Sequence, residues 1–144
     1  MNRHTKLWFV ASLFAPILAG CGGGGGSGGG TAEGTLGAPA TVTVGVARAS
    51  SISASGRNFY KFVAASTATA TISLTNTQSD LAWLLFSDAA HTNLIWICDN
   101  FFTTPGPADE TCTTQALVSG ATYYMRVDEW DDVAGTFTLL VAQP

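Results

Sequence analysis

The segment Thr122-Tyr123-Tyr124-Met125-Arg126-Val127-Asp128 decides the fold of this chain. Large apolar side chains occupy every second position in it, and polar or charged ones fall mainly between them. Because successive side chains of a β-strand point to opposite faces of a sheet, the alternation predicts a strand with one buried face. Residues 136–142 repeat the pattern, with the apolar side chains at Phe137, Leu139 and Val141.

Outward from these two segments, similar short runs continue through the rest of the chain. They are rich in threonine, valine, serine and aromatic residues and are separated by glycine, asparagine, aspartate or serine, as in all-β domains. No run shows the 3.6-residue apolar stripe of a helix. We therefore expect an all-β fold, an antiparallel β-sandwich of about eight strands with a jelly-roll-like arrangement. The predicted strands are residues 41–47, 58–64, 69–75, 81–86, 93–98, 113–118, 122–128 and 136–142, with an additional short strand at 51–54.

Two of the predicted strands are apolar on both faces, residues 81–86 and residues 94–97. One interpretation is that these strands are central and that a loop carrying Phe101 and Phe102 covers their second face. The other is that a set of their side chains forms an exposed apolar patch, which would mark a binding surface. The set comprises Leu84, Phe86, Ile95 and Ile97.

The N-terminus has the features of an export signal. Arg3 and Lys6 precede an apolar run over residues 7–19, which is too short to span a bilayer. The run ends in Leu18-Ala19-Gly20-Cys21, which resembles the lipobox of bacterial lipoproteins. That resemblance implies cleavage before Cys21, diacylglycerol on its thiol and N-acylation, with palmitate as an expected acyl chain. An ordinary secretory signal with an incidental cysteine is the alternative.

The sequence divides into three parts on this interpretation. Residues 1–20 form a cleaved signal peptide, residues 21–33 a lipidated cysteine with a glycine-rich tether, and residues 34–144 the folded domain. A glycine-rich coil of this length typically spans ~20 Å. Because Gly22 and Gly23, and not an aspartate, directly follow Cys21, analogy with lipoproteins favours the outer membrane, on its periplasmic or surface face.

The two remaining cysteines, Cys98 and Cys112, lie in the exported domain, where disulfides persist. Pairing them would stabilise the fold by ~3 kcal/mol in the chain-entropy model. The alternative, two thiols in a metal or redox site, lacks a Cys-x-x-Cys spacing and neighbouring histidines. We expect the disulfide.

The charge of the exported part argues against nucleic acid as a partner. The whole chain has six basic and ten acidic residues, and two of the basic ones lie in the signal. Four scattered basic side chains then face ten acidic ones, an excess of six negative charges. Nucleic-acid binding requires clustered lysine and arginine, so we expect none.

The sequence contains no set of residues typical of an active site. After the signal, His91 is the only histidine, and its surroundings predict a solvated turn. No serine, cysteine or lysine nucleophile can be paired with it. We therefore expect a protein without catalytic activity.

The acidic loop Asp128-Glu129-Trp130-Asp131-Asp132 is the candidate ligand surface. Its carboxylates could bind calcium, although their spacing matches no calcium-loop signature and most acidic loops are only solvated, so no cofactor is expected. Paired acids also occur in glycosidases, at separations that sequence does not give. Trp130 could either stack on a sugar or peptide or cap the core. The candidate residues are Trp130, Asp128, Asp131 and Asp132.

Five segments, in order, resemble the bacterial pre-peptidase C-terminal domain, a β-sandwich appended to secreted proteases and collagenases. The resemblance covers residues 49–142 and implies an accessory or binding module without its own catalysis. Ala82 stands where the family often has an acidic residue, which weakens any calcium role of that strand. We expect a lipoprotein that binds protein or polysaccharide; the alternative is a structural or accessory subunit of an exported peptidase or envelope complex. The segments are Asn58-Phe59-Tyr60-Lys61-Phe62, Thr71-Ile72-Ser73-Leu74, residues 79–86, residues 119–127 and Gly135-Thr136-Phe137-Thr138-Leu139.

Overall fold

A computed structural model describes residues 33–99 and 107–144 of the chain. This part contains strands and turns but no helix, and hence no helix that could cross a membrane. The predicted signal peptide, Cys21, the glycine-rich tether up to residue 32 and the Phe101–Phe102 pair lie outside the described residues. The strands are β1 (Ala40–Thr41), β2 (Arg48–Ile52), β3 (Arg57–Val63), β4 (Thr69–Thr75), β5 (Leu81–Phe86), β6 (Leu94–Cys98), β7 (Glu110–Ala116), β8 (Thr122–Glu129) and β9 (Gly135–Ala142).

The strands form two sheets, one ordered β1-β3-β8-β5-β6 and the other β2-β9-β4-β7. All neighbouring strands are antiparallel except β1, which pairs in parallel with β3. The eight strands β2 to β9 thus alternate between the sheets, except that β5 and β6 pair within one sheet, which is the order of a jelly roll. The predicted fold class is confirmed.

The core lies between the sheets and follows the period-two pattern. In β8 the buried side chains are Tyr123, Met125 and Val127, and β9 contributes every second residue from its opposite sheet. Trp83 of β5 is fully buried among them. The alternation predicted the inward face of these strands correctly, including that of β3 and β4. The further predicted core residues that are buried are Tyr60, Phe62, Ala70, Ile72, Leu74, Phe137, Leu139 and Val141.

The prediction of a strand over residues 41–47 was wrong. Only Ala40–Thr41 pair as a strand, and the following residues cross from one sheet to the other. The amide of Val42 still donates to Lys61 in β3, whereas the amide of Gly45 donates to Val141 in β9. Gly45 has φ +80°, a left-handed conformation that glycine adopts readily. The alternating valines therefore belong to a crossover.

The boundaries of two other strands also differ from the prediction. The additional strand expected at 51–54 is β2, Arg48–Ile52, a full member of its sheet that pairs along its length with β9. Strand β7 begins at Glu110, three residues before the predicted start, and ends at Ala116. Both shifts arise from polar strand ends whose pairing depends on a partner strand rather than on local propensity.

Part of the second face of β5 is covered by His91 and Arg126, and the predicted cover by Phe101 and Phe102 lies outside the described residues. Phe86 is buried, with the His91 ring edge-on to it at 4.9 Å between centroids and the Arg126 guanidinium 5.9 Å from its ring centroid. His91 also packs against Phe59 at 5.1 Å, so its interpretation as a solvated residue was wrong. Leu84 and Ile95 are half-buried. On the neighbouring edge strand β6, Leu94 and Ile97 are exposed.

The predicted disulfide is confirmed. Cys98 at the end of β6 is bonded to Cys112 in β7, with their Cα atoms 5.9 Å apart. Since β6 and β7 belong to different sheets, the bond joins the two layers of the sandwich at one edge.

Glu33, at the expected end of the tether, contacts the sandwich. Its carboxylate accepts hydrogen bonds from the Tyr60 hydroxyl at 2.6 Å and from the Ser51 amide at 3.0 Å. Tyr60 is fully buried, and its burial, together with the hydrogen bond to Glu33, strongly raises the pKa of the phenol. Glu33 is therefore anchored to the sandwich immediately before Gly34.

Candidate ligand-binding site

The pairing of the five-stranded sheet brings three distant segments to one end of the sandwich. In the antiparallel register, Leu81 at the start of β5 lies opposite Glu129 at the end of β8, and Trp83 lies opposite Cys98 at the end of β6. The residues that flank these strand ends, Asp80, Asp99 and Trp130, therefore meet.

These residues line a surface cavity of about 280 Å³, together with Asp131. Among the described residues, three aspartates and a tryptophan line it. The indole of Trp130 is 63 % exposed, so it stands in the solvent beside the cavity and does not cap the core. The arrangement offers an aromatic face and several negative charges to one ligand.

The conformation of the loop that carries Trp130 is held by Glu129. The Glu129 carboxylate accepts hydrogen bonds from the backbone amides of Asp131 (2.7 Å), Val133 (3.1 Å) and Ser55 (2.6 Å). Next to it, Asp132 adopts φ +59° and accepts a hydrogen bond from the Ser55 hydroxyl at 2.9 Å. Glu129 and Asp132 therefore fix the conformation of the loop, and Trp130 lies between them in the sequence.

Asp80 is the most unusual group in the cavity. Only 3 % of its surface is exposed, and its backbone carbonyl accepts a hydrogen bond from the Trp130 amide at 3.0 Å. Within residues 33–99 and 107–144, its carboxylate has neither a hydrogen-bond donor nor a basic side chain bonded to it. Desolvation raises the pKa of this carboxyl, and the negative charges of Asp131, Asp99 and Glu129 raise it further. The Asp80 carboxyl thus lies in a negative electrostatic environment.

Asp128 and Asp132, the other two predicted site residues, do not line this cavity. Asp132 accepts its hydrogen bond from Ser55 in the loop. Asp128 is buried against the outer face of the sheet, where Arg126 donates two hydrogen bonds to it at 3.1 and 2.7 Å and the Arg57 guanidinium lies 3.6 Å away. Its charge is therefore compensated within the protein. Asp128 lines a separate depression of about 230 Å³ that also includes Trp130, so the indole lies between two concave surfaces.

The acidic residues do not form a metal centre. In the part of the chain that the structure describes, no three histidine, cysteine, aspartate or glutamate side chains are close enough to hold one metal ion together. The loop carboxylates are instead directed to different partners: Glu129 to backbone amides, Asp128 to arginines and Asp132 to Ser55. The oxygen cage that calcium requires is not assembled from these residues.

The sequence predicted Trp130 and Asp131 as site residues, but it did not predict Asp80 and Asp99. A signal for both was present, because Asp80 precedes the predicted strand at 81–86 and Asp99 follows the one at 93–98. Only the pairing of those strands with each other and with β8 shows that the two aspartates lie beside Trp130.

Fold and site together define a jelly-roll β-sandwich with an acidic, tryptophan-flanked cavity at one end. No family model matches the chain, and no curated protein matches it. Among solved structures, the chain resembles the pre-peptidase C-terminal domain of collagenase from Bacillus anthracis, with a TM-score of 0.51 and 17 % sequence identity. The match covers 70 % of this chain and 91 % of that domain. The described part of the chain is thus a β-sandwich like the pre-peptidase C-terminal domain.

Proposed function

We propose that this chain is an exported, membrane-anchored lipoprotein whose β-sandwich binds a protein or polysaccharide without catalysing a reaction. The observation that carries the proposal is Trp130, an indole held 63 % exposed by a hydrogen-bonded loop beside a concave acidic surface. Exposed aromatic side chains next to a few placed polar groups are typical of ligand sites.

The placement of the candidate reactive groups supports a binding role over catalysis. His91 packs among aromatic rings at the opposite end of β5 from the cavity. Glu129 is hydrogen-bonded to backbone amides, and Asp128 is ion-paired with arginine. Each of these groups therefore has a structural role, and none is paired with a nucleophile.

The anchor is the second half of the proposal, and it rests on the lipobox and the glycine-rich tether. Lipid on Cys21 would hold the sandwich near the outer membrane, on its periplasmic or surface face, because several acyl chains bind a bilayer stably. The excess of negative charge would keep the sandwich away from anionic lipid headgroups.

Radiolabelled palmitate should label the wild-type protein in the membrane fraction and not the Cys21→Ser variant. Equal labelling of both proteins would contradict lipid attachment at Cys21.

The binding half is tested with the full chain purified in detergent and a panel of immobilised polysaccharides and envelope proteins. We expect Trp130→Ala to abolish retention on the ligand that binds. Val118→Ala is the matched control, because Val118 is an equally exposed apolar residue in the loop at the other end of β8. Retention that is unchanged in Trp130→Ala would contradict the proposal.

A second candidate function is that of an accessory subunit in an exported peptidase or envelope complex. The observation that favours it is the edge strand β6, where Leu94 and Ile97 are 48 % and 55 % exposed. An exposed apolar edge strand can pair with a strand of another protein. Crosslinking in intact cells followed by purification should then yield a stable complex, which Ile97→Lys disrupts while Trp130→Ala does not.

A further inference from the structure

We infer that the cavity beside Trp130 binds the lysine or arginine side chain of a partner protein. The inference rests on the proposed binding function and specifies the chemistry of its ligand. It starts from Asp80, which lines the cavity with only 3 % of the residue exposed and whose carboxylate has no donor or basic partner among the described residues.

A buried carboxylate without a partner is costly, and further negative charge makes it more so. Asp131 and Asp99 line the same cavity as Asp80, so the cavity concentrates like charge. The acidic residue at the outer face, Asp128, is compensated by two arginines, whereas none of the described residues that line the cavity is basic. No described lining residue supplies a positive charge to the cavity, so we expect the ligand to supply it.

The size and shape of the cavity indicate an organic cation. The described acidic groups are too dispersed to hold one metal ion, and the cavity measures about 280 Å³. Several carboxylates around a space of this size suit a multi-donor group such as an ammonium or guanidinium. Trp130 strengthens the match, because the face of an indole attracts cations more strongly than that of any other side chain.

The neighbouring edge strand favours a protein over an amino sugar as the source of the cation. Asp99, in the cavity, directly follows Cys98, the last residue of β6. Within residues 33–99 and 107–144, β6 pairs only with β5, and its exposed side chains are the apolar Leu94 and Ile97. An extended peptide could therefore hydrogen-bond along this edge and place one basic side chain in the cavity.

The test uses isothermal titration calorimetry with synthetic peptides of alternating valine and threonine that carry one lysine. We expect the lysine peptide to bind the full chain in detergent and its acetyl-lysine counterpart to bind at least roughly tenfold more weakly, since acetylation removes the charge. Asp80→Asn should weaken binding of the lysine peptide by a similar factor. The variant removes the negative charge that pairs with the lysine, and this pair lies at a buried residue.

Asp88→Asn is the matched control, since it removes one negative charge in the turn between β5 and β6, at the opposite end of the sandwich. We expect this variant to bind the lysine peptide within about twofold of wild type, because exposed charges at a distance are screened. Equal weakening by Asp80→Asn and Asp88→Asn would show that only net charge matters, and would overturn the inference.

Two further outcomes separate this inference from the proposed function. Tighter binding of a chitosan oligosaccharide than of the lysine peptide would assign the cation to an amino sugar and refute a protein source. Trp130-dependent binding of an uncharged ligand, with no binding of either cation, would refute the inference and leave the proposed function intact. Absence of any Trp130-dependent binding would refute both.

Discussion

At the scale of single residues, the buried carboxyl of Asp80 makes a prediction about the pH dependence of stability. Its pKa in the folded state lies above the ordinary value of 3.8. The folded state then holds the proton more tightly than the unfolded state, so this group lowers the stability of the fold as pH rises from 3.8 through the folded-state pKa. Asp80→Asn removes that contribution. Urea unfolding at a series of pH values should show a smaller loss of stability with rising pH in the variant.

The opposite behaviour is expected at Asp88. Hydrogen bonds from the backbone amide of Asn93, and from Thr92, lower the pKa of this carboxyl. Its contribution to stability is therefore present above the ordinary pKa and lost as pH falls through the folded-state value. The change in pH slope in Asp88→Asn should have the opposite sign to that in Asp80→Asn. Identical slopes in the two variants would contradict the assigned environments of both carboxyls.

Gly34 supplies a prediction about how the chain enters the fold. A Cβ atom at this position would overlap the carbonyl oxygen of Phe59 and the backbone nitrogen of Ala40, neither of which can move freely. We expect Gly34→Ala to lower the free energy of unfolding by about 1–3 kcal/mol, as overpacking does elsewhere. Gly37→Ala is the control, because a Cβ there would meet nothing within 4 Å. Equal free energies of unfolding for the two variants, measured with denaturant, would refute the steric role of Gly34.

At the scale of elements, the disulfide between β6 and β7 joins the edges of the two sheets. Removal of the bond in the double variant Cys98→Ser/Cys112→Ser should reduce stability by ~3 kcal/mol, since the unfolded chain is no longer constrained. The comparison is made by urea unfolding, with the reduced wild-type protein as the control. Equal unfolding midpoints for the oxidised wild type and the double variant would contradict the prediction.

The elements also show where sequence patterns are reliable and where they fail. In β3, β4, β8 and β9 one face is buried and the other is not, so alternation identified both the strand and its inward side. In residues 41–47 the same alternation of valines arises in a crossover, because a chain passing between two sheets also contacts the core intermittently. The local sequence pattern indicates which residues are buried. It does not indicate which neighbouring strand supplies their hydrogen-bond partners.

The turn between β5 and β6 illustrates a second limit. His91 is flanked by small and polar residues, which predicts exposure, but Phe86 and Phe59 leave an apolar surface next to the turn. The imidazole covers part of that surface. Its neighbours in space come from three different strands, and the turn sequence alone contains none of that information.

At the scale of the whole molecule, the jelly-roll topology creates the candidate site. The sequence identified the loop after β8, with Trp130 and Asp131, since those residues are adjacent in the chain. Asp80 and Asp99 join them only because β5 lies between β8 and β6 in the sheet. The order of strands in a sheet is a property of the complete fold, which explains why half of the cavity was not predicted.

The central claim is that this end of the sandwich is the binding surface. The most direct test is to map chemical-shift changes by nuclear magnetic resonance when the isotope-labelled full chain, in detergent, is titrated with the ligand that the panel identifies. We predict the largest changes at Asp80, Asp99, Trp130 and Asp131, with little change at Val118. Changes centred on the Val118 loop, or on the outer sheet face around Phe86, would contradict the account.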